Sequence, residues 1–289
     1  MRALNVLPSL GRFVNKKRVV VSFFYYSALV VYAFFVLIPI LYMLFSSFKP
    51  ESEIFSKSFG LPKNWTLGNY ERLFSRSHYG LYFFNSILSA LVSLFLIAVF
   101  SSTAAYVLAK YKFKLSGYVY AYFLIGLIFP LQLGTIVLLK MMLSIGAYDS
   151  LIALILVNVA RGIPLGIFIL TDFIRMIPEE LSNAARIDGA SESGIFVRII
   201  LPLIRPALAS VLLVNLIPVW NDFWFPLVFI KSDFIKTIPL ATALLFGQFE
   251  TNYGFVVTVL AVASLPVMVF YLIASKSFVK SITGGALKG

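Results

Sequence analysis

Six long apolar runs, separated by polar stretches, set the pattern of this chain. A helix that crosses the roughly 30 Å hydrocarbon core of a bilayer needs about 20 mostly apolar residues. Val19–Phe45, Phe83–Leu108, Tyr118–Leu139, Leu151–Phe173, Ala207–Ile230 and Phe255–Ala274 all reach that length. They predict six transmembrane helices and an all-α integral membrane protein. The first run is too long for the apolar part of a signal peptide and has no small-residue cleavage site, so it reads as a retained helix. Pro39, Pro130, Pro164, Pro218, Pro226 and Pro266 lie within or near the runs. Each removes a backbone hydrogen bond and can kink its helix.

The pattern changes between the fourth and fifth runs. The stretch from Pro178 to Pro206, PEELSNAARIDGASESGIFVRIILPLIRP, is the longest polar interruption in the C-terminal half. Pro178 suits a first helical turn, and Glu179 and Glu180 sit where the helix dipole favours negative charge. Leu181, Ala184, Ala185 and Asp188 recur on one helix face. Gly189 can take the left-handed conformation that ends such a helix. Ser191 can cap a second helix, with Glu192 in its first turn. Ile195, Phe196 and Ile199 then form an apolar stripe, which Pro202 and Pro206 break. The expected shape is a helix–turn–helix elbow. Burying Ile195 or Phe196 is favourable by about 1.5–3 kcal/mol each, and two homes compete for the stripe. One is the ends of the chain's own helices; the other is a cleft in a soluble partner.

The run NAARIDGA with the segment after it resembles the EAA loop of ABC importer permeases, roughly EAAxxDGA, an apolar segment, then I-x-LP-x-x-x-P. Ala184, Ala185, Asp188, Gly189, Ala190, Leu201, Pro202 and Pro206 match residue by residue. Asn183 stands where the family usually has Glu, a departure that touches a salt bridge rather than the elbow's shape. Nearly the whole chain resembles the carbohydrate-type, maltose-like sugar permeases. The resemblance implies the type I ABC importer permease fold, with residues 178–206 as a cytoplasmic coupling helix. Asn183, Ala184, Ala185, Asp188, Gly189, Ala190, Ile195, Phe196, Ile199, Leu201, Pro202 and Pro206 would then couple to a separate ATPase. It also implies a second homologous permease subunit, two ATP-binding cassette subunits, an extracytoplasmic solute-binding protein and a carbohydrate solute. ATP and Mg would be bound by the ATPase subunits, with no cofactor in this chain.

Composition narrows the classes. Of 289 residues 60% are hydrophobic, mean hydropathy is +0.94, and charged residues make up 12%, against about 25% in a soluble domain. The net charge of +12 is spread in flanks beside the apolar runs, which argues for a lipid bilayer and against nucleic acid. Basic residues number fifteen in the segments expected inside and eight in those expected outside. By the positive-inside rule both termini and the elbow are then cytoplasmic; the resemblance implies a bacterial or archaeal cytoplasmic membrane. With no cysteine, disulfides and thiolate chemistry are excluded. The single histidine, His78, has no His or Cys partners and reads as a solvated loop residue rather than a metal ligand. No phosphate loop, metal-ligand cluster or Ser–His–Asp set is visible, so no catalytic residues and no metal site are expected, and the resemblance implies a transport subunit.

The organisation expected is three parts. Residues 1–82 hold a basic N-terminal segment, the first helix and a polar loop (46–82) in which Trp65 and Tyr70 can anchor at the interface. That loop is either a small cap or a surface that meets a delivery protein. Residues 83–275 form a five-helix core with the loop 178–206. Residues 276–289 form a basic tail, frayed by composition. The stretch 238–249 is apolar but too short to span.

Polar residues inside the runs mark a candidate solute path: Asn158 and Arg161 in the fourth, Asn221 and Asp222 in the fifth, with Asn215, Asn85 and Gln132 weaker. An Arg at mid-membrane costs about 2.5–3.5 kcal/mol on insertion scales, so it faces a cavity or a partner. Interhelical hydrogen bonding competes with the path reading. A self-contained secondary transporter or channel is the alternative function, although no inverted pair of broken helices is evident.

Overall fold

The computed structural model describes residues 16–56, 60–76, 78–247 and 252–286, and among them there is no strand. Arg2, Arg12, Lys57, Lys288 and the Gln248–Phe249 end of the fifth-to-sixth connection lie outside the described residues. In chain order the helices are α1 (Lys16–Ser47), α2 (Glu51–Ser56), α3 (Gly68–Arg76), α4 (Tyr79–Lys110), α5 (Ser116–Ile128), α6 (Thr135–Ser144), α7 (Leu151–Arg175), α8 (Glu179–Ile187), α9 (Glu192–Ile195), α10 (Leu201–Leu203), α11 (Arg205–Trp220), α12 (Trp224–Phe229), α13 (Ile238–Gly247) and α14 (Tyr253–Ala286). Four of them hold spans long and apolar enough to cross a membrane alone: Val21–Ser47, Tyr79–Lys110, Leu151–Arg175 and Tyr253–Ile273. Two bent pairs raise the number to six if each counts as one span.

The third and fifth runs are not the straight rods expected. Tyr118–Leu139 is split into α5 and a following segment, Leu131–Ser144, bent by 90°. Pro130 is the cause. Its ring would meet the carbonyl four residues back, and it forces Phe129 to an extended φ of −77° and ψ of 120°. Ala207–Ile230 is split into α11 and the six-residue α12 around Asn221–Phe223. Continuing α11 would set the ring of Pro226 against the carbonyl of Asp222. Asn221 closes the helix instead, since both its backbone N–H and its side-chain Nδ2 donate to the Ile217 carbonyl, at 3.1 and 3.0 Å. Leu201–Leu203 joins α11 at a further bend, 74° between Glu192–Leu203 and Arg205–Trp220. At the other end, α14 stays helical past the expected stop at Ala274 to Ala286, so the backbone of most of the tail is not frayed.

The core is the crossing of α4 over α7. Gly162 and Gly166 make it close. A Cβ at Gly162 would lie 2.4 Å from Ile97 Cδ1 and 2.7 Å from Asn215 Oδ1, and one at Gly166 would lie 2.5 Å from Ser101. Ile97, Ala105, Ile167, Leu170 and Ile174 are fully buried along this line. α11 closes the layer on both helices through Ala207 and Val211, each fully buried. α14 lies against α11, α1 and α3, and α5 lies against α7, where Gly126 fits the ring of Pro164.

The described residues of the polar loop 46–82 fold into a cap at the end of the molecule opposite the elbow. Asn69 Nδ2 donates to the carbonyls of Ser47 and Lys49 (3.2 and 3.0 Å), and Thr258 Oγ1 of α14 donates to Ser47 (3.2 Å). Trp65 and Tyr70 stack on Phe48, with ring centroids 5.7 and 5.1 Å away. The most apolar window of α1 has no buried residue, whereas Ser46 and Ser47 at its C-terminal end are buried where α1 meets the cap and α14. His78 is exposed, as expected, and rests on Phe234 at 4.9 Å.

Gly162→Leu and Gly166→Leu are expected to destabilise the protein by at least about 1–3 kcal/mol through overpacking. Gly117→Ala, where a Cβ meets nothing within 4 Å, is expected to cost nothing. Thermal melting of detergent-purified protein, followed by circular dichroism, checks both.

Candidate functional site

The elbow takes the shape its sequence predicts. α8 ends in a left-handed Gly189 at φ +79°. Ala190 N–H donates to Ala185 (2.9 Å) and Gly189 N–H to Arg186 (3.1 Å), the paired bonds of a Schellman stop. Ser191 Oγ then accepts from Gly194 N–H at 3.2 Å and starts α9.

The stripe after it faces inward, onto the chain's own helices. Ile195 is fully buried, and the Phe196 ring lies 5.2 Å from that of Tyr106. Ile199 and Leu201 pack on the same cluster, which includes Leu170, Ile174 and Ala207. Ile195, Phe196, Ile199 and Leu201 therefore seat the elbow on its own helices. Residues 196–200 form a wide π turn. It brings Ile195 and Ile200, five apart, to the same buried side, with Ile204 beyond. Sequence periodicity missed Ile200 and Ile204 because a 3.6-residue period does not place them with Ile195; Pro202 and Pro206, which lack N–H donors, were the available signal.

What the elbow presents outward is α8 and its turn. Asn183, Ala184, Asp188, Gly189 and Ala190 are exposed, Leu181 is 46% exposed and Ile187 87%. Pro202 is half-buried and Pro206 exposed at the base.

A polar brace holds the two short helices together. Arg186 Nε donates to Glu192 Oε1 at 2.7 Å, and Arg186 also donates to Asn183 Oδ1 at 2.8 Å. The other Glu192 oxygen accepts from the hydroxyls of Tyr106, at 3.1 Å, and Tyr111. Lys110 Nζ donates to the Ile177 carbonyl at 2.6 Å. Arg186 first, then Tyr111, hold the Glu192 carboxyl at about 2, below its usual 4.5. Tyr106, Tyr111 and Lys110 were not singled out from sequence. Their only signal was a pair of phenols beside the basic stretch that ends the second run.

The five path candidates separate. Arg161 NH2 donates to Asn158 Oδ1 (2.7 Å) on its own helix and to the Pro218 carbonyl (2.8 Å) of α11. A guanidinium at the C-terminal end of α11 satisfies a carbonyl that the helix leaves open there. Asp222 is buried, its Oδ1 accepting from Phe225 N–H at 3.4 Å at the start of α12. Asn215 and Asn221 turn back, donating to Val211 (2.9 Å) and Ile217 (3.0 Å) of their own helix. Asn85, a weaker candidate, binds the carbonyls of Phe234 and Lys236. No group of three or more metal-ligating side chains exists among the described residues.

Residues 100–284 match the family described as binding-protein-dependent transport system inner membrane component. The chain belongs to this family. It is a multi-pass membrane subunit of a transport system and not an enzyme, and the elbow and the Arg161 cluster both lie within the matched residues. This inner membrane component is 31% identical to the arabinooligosaccharides transport system permease protein AraQ of Bacillus subtilis, over 94% of this chain and 96% of that one. It is 30% identical to the diacetylchitobiose uptake system permease protein NgcG of Streptomyces coelicolor, over 91% and 88%. Its fold matches a chain from the crystal structure of a bacterial ABC transporter involved in import of the acidic polysaccharide alginate, with a TM-score of 0.74, 21% identity, and 92% and 99% of the two chains covered. The fold is that of an ABC importer permease.

Two outcomes test the seating of the elbow. Ile195→Ala should cost about 2–5 kcal/mol, as a large-to-small change in a packed core does. Glu192 has a depressed folded pKa, so its contribution is complete above 4.5 and disappears as pH falls towards about 2. The melting temperature of wild type should therefore exceed that of Glu192→Gln by a constant margin above about pH 5 and converge with it at lower pH.

Proposed function

We propose that this inner membrane component is the transmembrane subunit of an ATP-driven importer that moves a carbohydrate across the cytoplasmic membrane by alternating access. The observation that carries the solute class is the near full-length similarity to permeases named for arabinooligosaccharides, diacetylchitobiose, and melibiose, raffinose and stachyose. The full assembly would pair it with a second permease and two ATP-binding cassette subunits, which hold ATP and Mg, and would receive solute from an extracytoplasmic binding protein. Both termini and the elbow would be cytoplasmic, in line with the excess of basic residues there.

Coupling would pass through the outward face of α8. Ile187, Leu181, Ala184 and Asp188 would seat in a cleft of the ATPase, with Gly189 and Ala190 at the turn. Ile195, Phe196, Ile199 and Leu201 would act behind them, carrying the displacement to α4, α7 and α11 through packed side chains. Pro202 and Pro206 would stiffen the base. Asn183 braces Arg186, which leaves a neutral residue at that point of the face. Of the intramembrane polar residues, Arg161 is the one we place on the solute path, positioned by Asn158; Asn215 and Asn221 use their donors on their own helix.

The test is transport of radiolabelled oligosaccharides by the complete complex in vesicles, with ATP inside. Uptake by this chain without the ATPase would overturn the reading. Gly189→Val meets no steric obstacle but forces a β-branched residue into a left-handed backbone, about 1–2 kcal/mol of local strain. It should insert normally, keep ATP hydrolysis and lose most uptake. Asp188→Lys should reduce the ATPase recovered by co-purification several-fold.

A further inference from the structure

A small polar chamber lies where the break between α11 and α12 meets α4, α7 and the start of α13. It has a volume of about 10 Å³ and is lined by Asp222, Thr237, Ser86, Ser89 and Asn158, with the indole of Trp220 among its apolar walls. Two of its polar atoms are buried and have no hydrogen-bond partner: Asp222 Oδ2 and Thr237 Oγ1. Their residues are 9% and 5% exposed. Ser86 Oγ accepts from the Ile238 N–H at 2.8 Å, which leaves its own proton to give. Asn158 Oδ1 accepts from Arg161 and keeps a second lone pair.

A buried carboxylate oxygen with no donor is strongly unfavourable unless something supplies a proton to share. The chamber has room for about one water-sized sphere, far below the roughly 300–1,000 Å³ of a pocket for a small organic ligand. It is thus too small for a sugar ring. Its walls offer four hydroxyl or carboxyl groups and a carboxamide, the two to four polar partners a buried water needs.

We propose that the chamber holds one resident water that bridges Asp222 Oδ2 and Thr237 Oγ1. The water donates to the carboxylate and accepts from the hydroxyl of Thr237 or Ser86. It clamps the intramembrane break to the N-terminus of α13 and to α4 and α7. Asp222 accordingly belongs to this clamp rather than to the solute path. Direct ligation of a metal ion would instead need all of these oxygens as acceptors and a dependence on that ion.

Two measurements on the assembled complex decide it. A map fine enough to show ordered solvent should contain one peak within about 2.5–3.0 Å of both Asp222 Oδ2 and Thr237 Oγ1. Melting temperatures of wild type, Asp222→Asn, Thr237→Val and the double variant should be the same in sodium, potassium and choline chloride. Each single variant should melt below wild type, and the double variant no lower than the worse single one, because both changes remove partners of the same water. An empty chamber, additive losses, or a sodium-specific rise in melting temperature that Asp222→Asn abolishes would each overturn the proposal. Should Asp222→Asn fail to fold, the wild-type map and the ion series on wild type and Thr237→Val still decide. Neither measurement depends on which solute is carried.

Discussion

Hydrocarbon offers no hydrogen bonds, so a backbone carbonyl freed by a bend must find its donor inside the protein. Most of the architecture follows from that constraint. The chain bends where proline forbids a straight helix, and side chains then take over the duty of the missing backbone donors. Arg161 reaches across from α7 to the Pro218 carbonyl, and Asn221 folds back on Ile217. The Ser86 hydroxyl meets the first N–H of α13, and Asn85 meets the carbonyls just before it. The polar residues of the membrane region thus read first as repairs to interrupted helices. A solute path has to be built from whatever they leave over.

The elbow answers a different demand, which is to keep a short segment in one orientation outside the core. Short helices are unstable alone because nucleation is costly and propagation brief. α8 and α9 survive through a Schellman turn, a serine cap and a shared carboxylate. Glu192 ties α9 to Arg186 of α8 and to the phenols at the end of α4, while the buried Ile195, Ile200 and Ile204 hold the base. α8 is therefore linked to α4 and α11 through a polar contact and an apolar one at the same time.

Sequence patterns identified the helical membrane class, the four uninterrupted spans, and the elbow down to the conformation of Gly189 and the cap at Ser191. Those features rest on local rules: run length, turn chemistry and capping. The misses share a cause. Whether a proline bends a helix or splits it depends on its surroundings. Pro39, Pro164, Pro218 and Pro266 remain inside helices, whereas Pro130 follows the end of α5 and Pro226 falls in the first turn of a new helix, α12. The direction of the Ile195 stripe was equally illegible, because the π turn at 196–200 replaces the usual period. Tyr106 and Tyr111 lie some eighty residues from Glu192 along the chain, and nothing in their own neighbourhood announces that contact.

The 90° bend at Pro130 also bears on how the chain enters the bilayer. α5 has 13 residues, about 20 Å of helix at 1.5 Å per residue, and so leaves roughly a third of the hydrocarbon thickness uncrossed. Such a segment gains little by partitioning into lipid on its own. Its neighbour α7 emerges from the ribosome later, and Gly126 of α5 is shaped to the ring of Pro164 on that helix. The close fit of Gly126 to Pro164 can therefore form only once α7 has been made, so α5 reaches its packed position after its own synthesis is complete.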